Sequence, residues 1–292
     1  MSSSGEIAFL GDSLLDDFYW LQDKSRDLTK EVHDLGFTVN NYAVDGSKLN
    51  DIIEGIVPSD IYMSERSYPY PIDNEGKVCP LKLLSYSNKP TNLFTSVYGD
   101  IILNKCTSST CSFMKPILKD TIKSDNKYIS RDDVMIVISI GGNDLRTDMI
   151  KILFGLDPFF NGIVTPEYQD KFDKMLAEVK KKSSKIVLIS MYLPYLGSGS
   201  TYGSFGYLAV AIVNKWKEFI VPLAKKHNIA ILDLAQTFDN KNRSNYGTIE
   251  VQPSNVSNKS IAKCLQYIYN KYDGYGVYFA PNCDISQIQV TK

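Results

Sequence analysis

Two nearly continuous apolar runs constrain the fold of this chain more than any other feature of its sequence. They cover residues 134–140 (VMIVISI) and 184–193 (SKIVLISMYL). A strand with one face in water alternates between apolar and polar residues, whereas a strand covered on both faces does not. Crossover helices cover both faces of a parallel sheet. The two runs therefore predict the central strands of a parallel sheet in an α/β protein.

The rest of the chain supplies further strands and the helices between them. The predicted strands are 6–10, 37–43, 134–140, 185–192 and 229–233. The predicted helices are 27–36, closed by Gly36, then about 205–227 and about 256–271, with Ser254 or Asn255 as the cap. Strands that alternate with helices in this way favour a parallel sheet with helices on both faces. We expect one domain over residues 1–292.

Two segments depart from this alternation. Residues about 58–130 are rich in Pro, Tyr, Ser and Asn and separate the second strand from the third. Because strand–helix connections usually take about 2–6 residues, we predict an inserted cap or subdomain at the rim of the site. The tail, 273–292, contains GYGVYFAP and either adds an edge strand or folds against the insertion.

Short polar motifs follow the first three predicted strands. They are Gly-Asp-Ser at 11–13, Asp-Gly-Ser at 45–47 and Gly-Gly-Asn-Asp at 141–144. The carboxyl ends of parallel strands form the ligand crevice of such sheets. Ser13 is there a candidate nucleophile for acyl transfer. The backbone N–H groups of Ser13 and Gly46 and the side-chain amide of Asn143 are candidate donors to the oxyanion.

Each of these residues also has a purely structural interpretation. Asp12 and Ser13 suit the cap of a following helix, and Asn143 suits the same role after the third strand. Gly46 suits a backbone turn. Three such motifs at neighbouring strand ends favour a functional site over three unrelated caps and turns.

The same motifs carry a resemblance to a known family. GDSL at 11–14, Gly46 within YAVDGSKL and GGND at 141–144 resemble the first three blocks of the GDSL, or SGNH, hydrolases. The resemblance covers about 6–56 and 132–272. It implies a flavodoxin-like three-layer α/β/α sandwich of about five parallel strands, and the activity of an esterase or lipase.

The last block of that family, Asp-x-x-His, is altered in this chain. Alignment on TIEVQPSNVSNKSIA at 248–262 places Gln252 at the histidine position and Ile249 at the aspartate position. An amide has no useful basicity, and an aliphatic side chain cannot orient an imidazole. We expect neither of the two histidines to replace the base, since His33 lies within a predicted helix and His227 lies at the amino-terminal edge of the sheet.

Glu250 is the remaining candidate base, because it lies two residues before Gln252. Carboxylates are weak bases, with an ordinary pKa of about 4.3. A water held by Gln252 is the alternative acceptor of the proton. Loss of the base costs a serine hydrolase several powers of ten in rate, on the order of 10⁶ in subtilisin. Asp12, Glu250 and Gln252 thus complete the set of candidate site residues.

Two functional hypotheses follow. The first is a serine hydrolase that cleaves an acyl or acetyl ester through Ser13 with an altered or missing general base. The second is a catalytically impaired protein of the same fold that binds an acylated or glycan ligand, or binds a partner protein through the insertion. A nucleotide-binding protein is disfavoured, because residues 11–13 do not form a glycine-rich phosphate loop.

Composition excludes several other classes. The net charge is −1, from 32 basic and 33 acidic residues, which disfavours nucleic acid and anionic membranes as partners. No apolar run reaches the roughly 20 residues of a membrane span. No secretory signal pattern precedes the first strand, so we expect a cytoplasmic protein. The five cysteines lack zinc-like spacing, and we expect neither a metal nor a cofactor.

Overall fold

The computed structural model describes residues 5–17, 21–41, 43, 48–49, 134–145, 164–203, 206–248 and 250–292. The strands are β1 Glu6–Gly11, β2 Thr38–Asn41, β3 Val134–Ser139, β4 Lys185–Ile189, β5 Ala230–Leu232, β6 Gly276–Phe279 and β7 Gln289–Thr291. The helices are α1 Leu28–His33, α2 Pro166–Lys180, α3 Gly206–His227, the short α4 Leu234–Thr237 and α5 Asn255–Lys271. The predicted insertion at 58–130, Gly46 and Ile249 lie outside these residues.

The described strands form one sheet in the order β2-β1-β3-β4-β5-β6-β7. Strands β1 to β6 pair in parallel, and β7 pairs antiparallel with β6. The five predicted strands are β1 to β5, which confirms the predicted fold class. The tail adds a sixth parallel strand and an antiparallel edge strand to these five.

Successive side chains of the strands build two separate cores. Ala8, Leu10, Ile136 and Ile138 face one cluster, which α2 and α3 cover, with Trp216 among its buried members. The alternate residues of the same strands face a second cluster. It contains Ile7, Phe9, Met135, Val137, Leu28 and Val32 of α1, and Ile261 and Leu265 of α5. Because successive side chains of a strand point to opposite faces, a run without polar residues requires a helix layer on each side.

The order of the strands determines where a ligand can bind. The chain runs outwards from β1 to β2 and then crosses back to β3 on the other side of β1. Open parallel sheets bind ligands outside the carboxyl ends of the strands at such a reversal. The connections that follow β1 and β3 meet at this point. The predicted motifs at 11–13 and 141–144 belong to these connections, and the motif at 45–47 lies outside the described residues.

Candidate active site

The connection after β1 is held tightly against the end of β3. The backbone N–H of Asp12 donates to the carbonyl oxygen of Ser139 at 3.0 Å. Gly11 has a φ of 142°, and a Cβ atom there would lie 1.8 Å from that same oxygen. Only glycine allows so close a backbone approach. Gly11 therefore brings the turn that carries Ser13 to the carboxyl end of β3.

The Asp12 side chain stabilises this turn through hydrogen bonds. Its buried carboxylate accepts hydrogen bonds from the Ser139 hydroxyl at 2.9 Å and from the Leu14 N–H at 3.3 Å. Both bonds go to Oδ1, so the side chain joins the turn to β3. Sequence reasoning missed Ser139, because the residue lies inside a predicted strand and no local signal marks its contact with Asp12.

The connection after β3 brings Asn143 to the same edge of the sheet. Residues 142–145 are helical, and Asn143 is buried. A Cβ atom on Gly142 would lie 3.6 Å from Oδ2 of Asp12, so the two connections are neighbours. The Leu49 N–H donates to Oδ2 of Asp144 at 3.1 Å, which ties the segment after Gly46 to the same place. Of the three predicted donors, the structure thus describes Ser13 and Asn143 on adjacent connections.

Gln252 reaches the candidate nucleophile directly. Its Nε2 atom donates to the Ser13 hydroxyl oxygen at 2.7 Å, across 239 residues of sequence. Gln252 is 8% exposed, and its carbonyl oxygen accepts the Gly247 N–H at 2.8 Å. Its other amide atom, Oε1, is buried without a hydrogen-bond partner among the described residues. Gln252, a predicted site residue, therefore contacts the Ser13 hydroxyl directly.

The carboxylate of Glu250 is bound to a different loop. Its Oε2 atom accepts hydrogen bonds from the Ser200 hydroxyl at 3.2 Å, the Thr201 N–H at 3.0 Å and the Thr201 hydroxyl at 2.7 Å. Its carbonyl oxygen accepts the Tyr195 N–H at 2.8 Å. Glu250 therefore joins the loop that carries Gln252 to the loop after β4. Within the described part of the chain, the side chain hydrogen-bonded to Ser13 is Gln252.

The two histidines lie elsewhere. His227 ends α3, and its Nε2 lies 2.6 Å from Oδ1 of Asp173 on α2. Lys226 and His227 lower the pKa of Asp173 through their hydrogen bonds. The side chain of His33 is 69% exposed, 3.9 Å from the carboxylate of Asp34. Each histidine therefore lies beside an aspartate of a helical region and is not hydrogen-bonded to Ser13 in the described part of the chain.

Neither a metal centre nor a membrane helix occurs in the described residues. No group of three or more His, Cys, Asp and Glu side chains among them could hold a metal ion. No helix in the same part of the chain has the length and apolar content needed to cross a bilayer. Cys264 and Cys283 are free thiols.

Comparison with known proteins identifies relatives by structure alone. No family model matches the sequence, and no curated protein matches it either. A lipase from a goat rumen metagenome superposes with a TM-score of 0.52 at 14% identity, over 90% of this chain and 97% of the lipase.

Two further solved structures superpose less well. An extracellular lipase from Streptomyces rimosus covers 87% of this chain and 95% of its own, with a TM-score of 0.48 and 10% identity. The match to a variant of an acetyl xylan esterase from Geobacillus stearothermophilus covers 92% of this chain and 96% of the esterase, with a TM-score of 0.45 and 14% identity. The protein thus shares its α/β fold with the solved rumen lipase over nearly the full length of both chains.

Proposed function

We propose that the protein is a serine ester hydrolase of the GDSL, or SGNH, type, with Ser13 as the nucleophile and without the usual histidine base. The observation that carries the proposal is the 2.7 Å hydrogen bond between Gln252 Nε2 and the Ser13 hydroxyl. The residue aligned with the family's base contacts the residue aligned with its nucleophile. Two segments that are distant in sequence meet at the atoms where the family's chemistry takes place.

The proposed reaction proceeds through an acyl-enzyme. The Ser13 oxygen forms a bond to the ester carbonyl carbon, and the hydroxyl proton leaves to a water. The N–H groups of Ser13 and Gly46 and the amide of Asn143 donate to the oxyanion. Collapse of this intermediate breaks the bond to the alcohol, which leaves with a proton. Water then attacks the acyl-serine, releases the acid and restores the serine hydroxyl.

Gln252 has a defined role in this scheme. An amide N–H that donates to the Ser13 oxygen stabilises negative charge on that oxygen and orients its lone pairs. The amide does not take up the proton, so a water beside Gln252 is our first candidate for the acceptor. Glu250 is the second candidate, although its hydrogen bonds go to Ser200 and Thr201. The expected turnover is slow, because general base catalysis contributes about 10²- to 10⁴-fold.

The absence of a base at position 252 also favours a second candidate function. A neutral hydroxyl–amide pair binds a ligand without attacking it. A protein with this pair, the Asn143 amide and the neighbouring backbone donors would retain an acylated or glycan ligand in the crevice. The insertion at 58–130 would then contribute to ligand or partner binding.

Hydrolysis of a short-chain aryl ester distinguishes the two functions, because its good leaving group needs little acid assistance. We expect slow hydrolysis by the wild type, and Ser13→Ala should reduce it to the rate in buffer alone. Ser286→Ala is the matched control, since Ser286 is exposed and lies before β7 at the far edge of the sheet. If Ser13→Ala and Ser286→Ala both hydrolyse the ester at the wild-type rate, the hydrolase proposal is wrong. Calorimetric titration with an acetylated oligosaccharide would then test the binding function.

A further inference from the structure

We infer that a buried contact between Asp17 and Asn258 positions the Ser13–Gln252 pair, an inference that rests on the proposed function. Asn258 Nδ2 donates to Oδ2 of Asp17, and both residues are fully buried. Asp17 lies four residues after Ser13, and Asn258 lies six residues after Gln252. The contact therefore joins the same two segments that meet at the candidate active site.

Asp17 is connected to Ser13 through a short, hydrogen-bonded turn. The N–H groups of Leu15 and Asp16 both donate to the Asp12 carbonyl oxygen at 3.0 Å. Asp17 follows this turn, and its Oδ1 accepts the N–H of Leu28, the first residue of α1, at 3.3 Å. Because few free torsions separate the two residues, a shift of the Asp17 side chain moves the turn that carries Ser13.

Asn258 is connected to Gln252 through the start of α5. Ser254 caps this helix, and its side chain accepts the Ser257 N–H at 3.2 Å. The Asn258 N–H donates to the Ser254 carbonyl oxygen at 2.8 Å. Gln252 lies two residues before the cap. A shift of the first turn of α5 therefore moves the Gln252 amide relative to Ser13.

Burial, and after it a neighbouring carboxylate, favours the protonated form of the Asp17 carboxyl group at neutral pH. Burial and, after it, the nearby Asp27 raise the pKa of Asp17 to about 8, although Asn258 and Leu28 donate to it. Glu31 and Lys30 in turn influence the pKa of Asp27, and from α5 the neutral Asn258 donates to Asp17. The contact is thus one between a neutral carboxyl group and a neutral amide.

Ionisation of Asp17 should loosen the site. Above pH 8 the buried carboxylate would stand beside Asp27, and the described groups that set its pKa include no cation. Hydration of this charge favours separation of the turn from α5. Misplacement by about 1 Å can lower a rate about 10²-fold. We therefore expect kcat to fall as the pH rises through about 8, with a smaller change in KM.

Substitutions at Asp17 test this inference in the full-length protein with an aryl ester as the substrate. Asp17→Ala removes both hydrogen bonds and should lower kcat by about 10- to 100-fold at pH 7, with KM within about threefold. Asp17→Asn keeps the shape and cannot ionise; its Oδ1 still accepts from Leu28, and its Nδ2 donates to Asn258 Oδ1 once the Asn258 amide turns. It should keep kcat within about threefold of the wild type and abolish the fall above pH 8. Ser286→Ala is the control, because Ser286 is exposed and lies before β7 at the far edge of the sheet, and kcat should be unchanged.

Amide hydrogen exchange tests the contact without relying on activity. Asp17→Ala should accelerate exchange in residues 12–17 and 252–258 and leave β4 unchanged. Wild-type exchange and wild-type kcat in Asp17→Ala would overturn the inference. If Asp17→Ala does not fold, a fall of kcat above pH 8 that persists in Asp17→Asn would overturn it. If the wild type hydrolyses no ester, the proposed function fails, and the exchange rates in these two segments alone decide whether the contact positions them.

Discussion

Replacement of Asp17 by asparagine should change how the stability of the protein depends on pH. Asp17 is fully buried, and its pKa is raised from 3.8 to about 8 by burial and by Asp27. A raised pKa in the folded state means that the folded protein holds a proton that the unfolded chain has already released. The stabilisation from this proton is fully present below pH 3.8, and it is lost as the pH rises to about 8.

The size of the effect follows from the two pKa values. Between them, each pH unit changes the free energy of unfolding by about 1.4 kcal/mol. A shift of about four units gives a loss on the order of 5 kcal/mol between pH 4 and pH 8. This loss is large beside a typical net stability of about 5–15 kcal/mol. Asp17→Asn retains an acceptor for the Leu28 N–H and removes the titrating group, so the loss should disappear in the variant.

Urea unfolding at pH 5, 6, 7, 8 and 9 measures this difference. We expect Asp17→Asn to gain stability relative to the wild type by about 1.4 kcal/mol per pH unit up to pH 8, and no further gain above it. Asp284→Asn is the control, since hydrogen bonds from Ser286 lower the pKa of Asp284 and it stays ionised over this pH range. Its unfolding curve should run parallel to that of the wild type throughout this range. A constant difference between Asp17→Asn and the wild type from pH 5 to pH 9 would refute the reasoning.

Three further predictions concern the site and its frame. Gly141→Ala should lower the free energy of unfolding by at least about 3 kcal/mol, because φ is 111° and a Cβ atom would lie 2.2 Å from the indole of α3. Gly199 also has a positive φ, but a Cβ atom there would meet nothing within 4 Å, so Gly199→Ala should lower the free energy of unfolding by only about 1–2 kcal/mol in urea. Equal losses of stability in the two variants would contradict the role of the clash at Gly141. Gln252→His should raise kcat for the aryl ester by about tenfold or more, because it places a base beside Ser13. A fall in kcat would contradict the proposal that position 252 can hold the general base. Glu250→Gln should leave kcat within about threefold, because the side chain can still accept from Thr201; a loss of several hundredfold would identify Glu250 as the base.

The central strands could be predicted from the sequence because their signal is local. A run of apolar residues without alternation identifies a strand covered on both faces, and β3 and β4 follow this pattern. The ends of the strands were predicted less well. The second strand was expected at 37–43, but β2 stops at Asn41, whose side chain donates to the Leu15 carbonyl oxygen and accepts the Ala43 N–H. The Ala43 N–H is thus bound by a side chain, which leaves it unavailable to a neighbouring strand.

Elements with weak local patterns were missed or left open. No helix was predicted over 166–180, although Thr165 and Pro166 form a start signal for α2. The tail was expected either to add an edge strand or to fold against the insertion, and it forms β6 and β7. Strand β6 has only four residues, too few for a distinct local pattern. Its pairing with β5 therefore depends on long-range packing.

The sequence by itself determined the fold class and the positions of Ser13 and Asn143 after β1 and β3, and it led to the prediction that Gln252 lies at the site. These features depend on patterns within a few residues or on alignment of short motifs. Only the tertiary structure decided which side chains meet. It joined Gln252 to Ser13 and Asn258 to Asp17 across more than 230 residues each, and it turned Glu250 towards Ser200 and Thr201. Such contacts depend on how helices and loops pack around the sheet, and the local sequence does not encode that packing.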